Sequence, residues 1–192
     1  MTTMARRRDT PMTADEFLAT DPSLFGDAWR YELVGGQPVA MSPPSRMHGR
    51  ILGNVVRRVQ AALDAADRPC SVDPGVGVKP ERAPGNKVRI PDASVWCGDD
   101  RETPTVLFEV MSDANAGSGY EVRRADLRSV AGVQEIVELH QDGIAAHLFR
   151  RHEAGWLSIE VIGADQTLTL ESLGIEIPLA DLYANVRFEP TE

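Results

Sequence analysis

The most regular hydrophobic pattern of the chain lies in residues 45–66, where apolar positions recur every three or four residues. This spacing places them on one face of an α-helix and the charged side chains on the other. Pro43 and Pro44 disfavour helix before this segment, and Ser45 is able to cap its first turn. We therefore predict a long amphipathic helix over 45–66. Its apolar positions are Ile51, Leu52, Val55, Val56, Val59, Ala62, Leu63 and Ala66.

Two weaker patterns predict further helices. Thr13 and Glu16 have the spacing of a capping box, which predicts a short helix over 13–19. An arginine-rich segment at 120–131 carries few apolar positions and ends at Gly132, a residue that favours helix termination.

Short β-rich segments make up most of the remaining chain. A glycine pair at 35–36 separates two of them and predicts a hairpin, since glycine readily adopts the positive φ that tight turns require. The expected strands are 31–34, 37–41, 71–78, 88–96, 105–111, 135–139, 145–150, 156–162 and 166–170. Helices interspersed among so many strands predict an α+β or mixed α/β fold, with a central mixed sheet flanked by helices.

Length and composition favour one folded domain. The 192 residues lie in the usual single-domain range, and we expect a disordered tail at 1–12 and one domain at 13–192. With 42% apolar and 26% charged residues, the chain is typical of a packed globular protein. A net charge of −9 disfavours a globally basic nucleic-acid binder, although a local basic patch stays possible.

Targeting features are weak. No apolar run approaches the length of a membrane span, and the arginines at 6–8 are not followed by the apolar stretch of a secretion signal. Cys70 and Cys97 are too few for a disulfide framework or a four-ligand zinc site, and so few cysteines are typical of the reducing cytosol. We therefore expect a cytoplasmic protein that does not enter a membrane.

Two acidic residues interrupt the most apolar strands. Asp92 follows a proline in the predicted strand 88–96, and Glu109 lies among aliphatic residues in 105–111. A buried charge without a partner costs several kcal/mol, so each acid needs a metal, a cation or a shared proton. If the two strands are neighbours, the two carboxylates lie side by side.

Two interpretations of this pair are open. Carboxylates at the ends of adjacent strands form an oxygen-rich site of the kind that binds Mg²⁺ or Mn²⁺, which activates water and stabilises charge on phosphate. Alternatively, Glu109 pairs with an arginine such as Arg89, and Asp92 only caps a turn. The spacing of the residues does not decide between them.

Five short motifs together resemble a known family. They are Tyr31-Glu32-Leu33-Val34, Met41-Ser42-Pro43-Pro44-Ser45 followed by His48, Pro91-Asp92, Glu109-Val110-Met111-Ser112, and Gly132-Val133-Gln134-Glu135. Their order and spacing are similar to those of Uma2-type (DUF820) proteins of the PD-(D/E)XK nuclease superfamily, over about residues 13–183. The resemblance raises the metal interpretation above the alternative.

The resemblance implies a restriction-endonuclease-like core, a homodimer, and Mg²⁺- or Mn²⁺-dependent cleavage of DNA. By the same mapping, Asp92 and Glu109 are the metal ligands, Glu32 is an accessory acid, and His48 faces the site from the first turn of the long helix.

One family element does not map. The superfamily places a lysine beside the second acid or, in this family, on the following helix, whereas Lys79 and Lys87 both precede Glu109. Counting back from Gly132, Arg124 takes the lysine position. An arginine binds a phosphate oxygen but does not act as a base at neutral pH, because its pKa exceeds about 12.

Arginines on the two longer helices are candidates for DNA backbone contacts, since phosphates supply most non-specific DNA affinity. These candidates are Arg50, Arg57, Arg123 and Arg128. Two hypotheses follow for the whole protein. The first is a metal-dependent endonuclease, and the second is a catalytically degenerate nuclease fold that binds DNA or another protein.

Overall fold

The computed structural model describes residues 10–82, 85–98, 103–111 and 118–188. Two short hairpins and one larger sheet contain the strands. These are β1 (Arg30–Val34), β2 (Gln37–Met41), β3 (Cys70–Pro74), β4 (Ala93–Cys97), β5 (Val106–Met111), β6 (Glu135–His140), β7 (Ala145–His152), β8 (Gly155–Ile162), β9 (Thr167–Leu170) and β10 (Ile175–Pro178). The helices are α1 (Ala14–Ala19), α2 (Arg46–Ala65), α3 (Ser118–Leu127) and α4 (Leu179–Leu182), with a 3-10 helix at Pro22–Phe25.

The central sheet is mixed and has the spatial order β3-β4-β5-β6-β7-β8. Neighbouring strands run antiparallel except β5 and β6, which are parallel and are separated in the chain by α3. The predicted α+β class, with a central mixed sheet flanked by helices, is confirmed.

Alternation along β5 assigns its side chains to two different layers. Val106, Phe108 and Val110 pack with the apolar face of α2, whereas Leu107 packs with Leu127 of α3. Because successive side chains of a strand point to opposite faces, Glu109 shares the face of Leu107. The acid of β5 therefore lies in the layer between the sheet and α3.

The long helix forms as predicted. Its first turn is capped by Ser45, whose Oγ accepts from the His48 backbone N–H at 3.0 Å. Four apolar residues of its inner face are completely buried in the main core, namely Ile51, Val55, Val59 and Leu63. The capping box of α1 is also present, with Thr13 and Glu16 each accepting from the other's backbone N–H.

Both hairpins pack beside the central sheet. The β1–β2 turn has positive φ at Gly35 (57°) and Gly36 (76°), as its glycine pair predicts. Two backbone hydrogen bonds between Leu33 and Val88, both 3.0 Å, join β1 to the segment that leads into β4. The β9–β10 hairpin instead contributes its apolar residues to the core beneath α2.

Several boundaries differ from the prediction. The expected strand 71–78 ends at Pro74, because Gly75 turns the chain with a φ of 68°. The expected strand 88–96 begins only at Ala93, and Asp92 occupies a bend just before it. The β10 strand and α4 were not predicted.

The two cysteines are joined, contrary to the expectation of reduced thiols. Cys70 and Cys97 face each other across β3 and β4, with Cα atoms 4.1 Å apart, and form a disulfide. The expectation relied on the number of cysteines, whereas the pairing depends on strand register. A cytoplasmic location therefore stays a prediction.

Ordered packing begins before the predicted domain boundary at residue 13. Met12 is 6% exposed, and its backbone N–H donates to the Gly36 carbonyl at 2.8 Å. Residues 1–9 of the predicted tail lie outside the described residues. None of the helices in the described ranges is long and apolar enough to cross a membrane.

Candidate functional site

Asp92 and Glu109 lie level with each other on neighbouring chain segments. The register that pairs Ala93 with Phe108 brings Asp92 opposite Glu109 when it is extended by one residue. A hydrogen bond of 2.8 Å from the Val110 backbone N–H to Asp92 Oδ2 holds the two segments together at this level. Asp92 and Glu109 therefore lie at the same level of the sheet.

Asp92 has a second partner from α2. His48 Nε2 lies 3.0 Å from Asp92 Oδ1, and both side chains are largely buried. His48 reaches this position because it sits in the first turn of α2, immediately after the Ser45 cap. The structure thus places His48 in the same pocket as Asp92, where the family resemblance put it.

Glu109 pairs with an arginine, but not with the one expected. Arg123 of α3 approaches both carboxylate oxygens, with its NH2 group 2.9 Å from Oε1 and its Nε 3.3 Å from Oε2. The same NH2 group donates to the Ile90 carbonyl at 2.9 Å. The Glu109 carboxylate is therefore covered by a guanidinium on the α3 side.

Glu32 completes the pocket from β1. Its Oε1 accepts from the Ile90 backbone N–H at 2.8 Å and from Arg123, and its Oε2 accepts from Arg89 at 2.8 Å. Arg123 consequently bridges Glu32 and Glu109. Glu32, the accessory acid implied by the resemblance, is therefore connected to Glu109 through Arg123.

A buried acid of α3 anchors the other side of Arg89. Asp126 Oδ2 accepts from Arg89 Nε at 2.9 Å and from its NH2 group at 2.7 Å. Lys87 Nζ lies 2.9 and 3.0 Å from the two Asp126 oxygens. Asp126 is 3% exposed and Arg89 is 7% exposed, so this ion pair is largely shielded from solvent.

Arg124, the residue predicted to replace the lysine, contacts a different acid. It makes two hydrogen bonds of 2.8 Å to Glu138 of β6 and one of 2.7 Å to Glu121. Consecutive residues of a helix point about 100° apart, and here Arg123 reaches Glu109 of β5 while Arg124 reaches Glu138 of β6. Arg123 occupies the position next to Glu109 that was assigned to Arg124.

Glu138 extends the row of acids across the sheet. The parallel register of β5 and β6 pairs Glu109 with Glu138, and the next pairing places His147 of β7 beside Glu138. Burial and the charges of Glu138 and Glu109 raise the pKa of Tyr120, which covers this row from α3. The Tyr120 hydroxyl consequently stays protonated at neutral pH.

The surroundings of Glu109 favour its protonated form. Burial raises the pKa of the Glu109 carboxyl to about 8 against the opposing charge of Arg123, and the charges of Asp92 and Glu32 also raise it. For Arg123, burial acts to lower the pKa, but the charges of Glu109 and Glu32 outweigh it and raise the pKa. Arg123 therefore stays charged at every pH relevant here.

This pKa predicts a specific dependence of stability on pH. Between about pH 5 and pH 8, the unfolded chain ionises Glu109 while the folded protein retains the proton, so the free energy of unfolding falls as pH rises. The slope from this group is at most about 1.4 kcal/mol per pH unit. Urea denaturation of the wild type and Glu109→Gln across this range measures it. Parallel curves for the two proteins would contradict the assignment.

The remaining DNA-contact candidates do not contact Asp92 or Glu109 in the described structure. Arg50 and Arg57 are exposed on α2, and Arg57 donates to Asn54 Oδ1 at 3.3 Å. Arg128 stacks on the ring of Phe149 at 4.3 Å. Arg123 is committed to the buried acids and is not on the surface.

Comparisons with known proteins agree with this architecture. A model of the Uma2 family, described as "Putative restriction endonuclease", matches residues 14–180. The chain belongs to the Uma2 family. A solved structure with a similar fold is that of a putative nuclease belonging to DUF820 from Anabaena variabilis ATCC 29413, with a TM-score of 0.68 and 17% identity, covering 91% of this chain and 98% of that one. No curated protein matches the sequence.

Restriction-endonuclease-like families generally use divalent metals, and the side chains of this site determine whether such a cation can bind here. Asp92 and Glu109 offer carboxylate oxygens, the donors that Mg²⁺ and Mn²⁺ prefer, at one level of the sheet. Among the described residues, however, no three His, Cys, Asp or Glu side chains converge as a metal-ligand group. The two carboxylates are suitable donors for a divalent cation, but Arg123 is already hydrogen-bonded to one of them, Glu109.

Sequence reasoning missed the role of two α3 residues in this Uma2 site. Arg123, Asp126 and Leu127 of α3 are spaced i, i+3 and i+4, which places them on one helix face. Because Leu127 is buried, the same face directs Arg123 and Asp126 toward the interior. This spacing was visible in the sequence, but the acids opposite it were not.

Proposed function

We propose that this protein is a nuclease that hydrolyses phosphodiester bonds in DNA, with a divalent cation, Mg²⁺ or Mn²⁺, as its cofactor. The observation that carries the proposal is that Asp92 and Glu109 lie at one level of the sheet, where the Val110 N–H holds Asp92, in a chain of the Uma2 family. Asp92 and Glu109 would hold the cation. When bound, such a cation lowers the pKa of water and stabilises charge on phosphate.

The other residues of the pocket have distinct tasks in this proposal. His48, oriented by Asp92, would take up the proton of the attacking water at its ring and then pass it to the leaving oxygen. Glu32 keeps Arg89 and Arg123 in place through its two oxygens. No lysine takes part, because Lys87 is bound to Asp126 and Lys79 to Asp15.

A cleavage assay tests the proposal directly. Supercoiled plasmid and single-stranded DNA are incubated with the purified protein and Mg²⁺ or Mn²⁺, with EDTA as the control. We expect nicked or shortened products only when a divalent cation is present. The absence of cleavage of both DNA forms with both cations would overturn the proposal.

A second function is favoured by one specific observation. Arg123 bridges Glu109 and Glu32 without any metal, so the fold is also compatible with a degenerate nuclease that binds DNA or another protein. Calorimetric titration separates the two functions: the degenerate protein binds DNA or a partner without binding Mg²⁺ or Mn²⁺. Homodimer formation stays a prediction of the family resemblance.

A further inference from the structure

The guanidinium of Arg123 is built into the acidic pocket as its central cation. Its donors reach Glu109, Glu32 and the Ile90 carbonyl, and its side chain is only 15% exposed. A surface arginine that contacts an acid by chance does not make such a complete set of bonds. The position of Arg123 is therefore specified by the fold.

The Glu109 carboxylate cannot bind the Arg123 guanidinium and a divalent cation at full strength at the same time. Both oxygens of Glu109 accept from Arg123, at 2.9 Å for Oε1 and at 3.2 and 3.3 Å for Oε2. A divalent cation on Glu109 would take up one of these oxygens and would repel the guanidinium at close range. Binding of the two at Glu109 is therefore antagonistic.

Resting on the proposed function, we propose that Arg123 is a built-in competitor of the divalent cation at Glu109. While no cation is bound, Arg123 bridges Glu109 and Glu32. With a cation held by Asp92 and Glu109, the guanidinium of Arg123 would leave Glu109 and would be free to bind a phosphate oxygen of DNA. Arg123 thus sets the cation affinity of the site and couples cation binding to DNA binding.

The neighbouring arginine supplies a matched control. Arg124 is on the same helix and is also paired with a buried glutamate, but its partner is Glu138 on the next strand. Removing its charge leaves the contacts of Glu109 intact. A general effect of removing an α3 arginine would appear in both variants, whereas competition at Glu109 would appear only in Arg123→Met.

Mn²⁺ binding to the full chain without DNA tests the proposal, measured by electron paramagnetic resonance of free Mn²⁺. We expect Arg123→Met to bind Mn²⁺ at least about tenfold more tightly than the wild type, and Arg124→Met to be unchanged. Adding Glu109→Gln to Arg123→Met should abolish the gain. Equal or weaker Mn²⁺ binding by Arg123→Met, or an equal gain in Arg124→Met, would overturn the proposal.

A measurement on the wild type keeps the proposal testable if Arg123→Met does not fold. Titration with Mg²⁺ should shift the NMR resonance of the Arg123 Nε–H group and leave that of Arg124 in place. An unchanged Arg123 resonance at saturating or at the highest accessible Mg²⁺ would overturn it. Tighter Mn²⁺ binding by Arg123→Met without DNA cleavage by the wild type would refute the nuclease function alone.

Discussion

Replacing Asp92 with asparagine is expected to lower the rate of metal-dependent DNA cleavage by about a thousandfold. Asparagine keeps the size of the side chain and is able to accept the hydrogen bond from the Val110 N–H, now 2.8 Å long. It loses the negative charge that would hold the cation and that orients His48. Plasmid nicking rates under saturating Mn²⁺ measure the effect.

Two companion measurements separate a chemical defect from loss of the fold or of DNA affinity. Asp73→Asn makes the same change on β3, where Asp73 accepts from Ser71 and does not contact His48, so its cleavage rate should stay within about twofold of the wild type. In EDTA, where no divalent cation is bound to either protein, Asp92→Asn should bind DNA at least as tightly as the wild type, because it removes a negative charge. A variant that retains a tenth or more of the wild-type rate would exclude Asp92 as a metal ligand.

The second large effect concerns stability. Asp126→Ala is expected to reduce the free energy of unfolding by about 3–5 kcal/mol, because it leaves buried cationic groups without their acid. Arg89 loses two hydrogen bonds and Lys87 loses its only carboxylate contact within the described residues. Urea denaturation of the wild type and Asp126→Ala measures the loss, provided that the two proteins have the same m-value.

An exposed ion pair on the same helix provides the comparison. Glu121 also pairs with an arginine, Arg124, but its side chain is 69% exposed, so Glu121→Ala should cost less than about 1 kcal/mol. If Asp126→Ala and Glu121→Ala have similar effects, the buried network contributes nothing beyond an ordinary surface pair. The expected difference rests on desolvation, since both acids contact arginine.

Local patterns predicted α1 and α2 well because they depend on near neighbours in the chain. The three-and-four spacing of α2 and the Ser45 cap act within one helix, so both appear in the sequence as they do in the structure. The glycine pair of the β1–β2 turn is equally local. The strand around Asp92 was placed less well, since its pairing depends on β3, β5 and the hairpin at once.

The pocket was predicted in part. Asp92 and Glu109 stood out because charged residues inside apolar strands need a partner, and strand order then made their convergence plausible. Which cation compensates Glu109 was open between a metal and an arginine such as Arg89. The structure pairs Glu109 with Arg123 and pairs Arg89 with Glu32 and Asp126.

By itself, the sequence determined that this chain forms an α+β domain and that two acids, Asp92 and Glu109, interrupt its apolar segments. The tertiary structure decided that Cys70 faces Cys97 and that Arg123, not Arg124, covers Glu109. Strand register and the rotation of α3 control these contacts. Both are set by packing between segments distant in the chain, which no local pattern specifies.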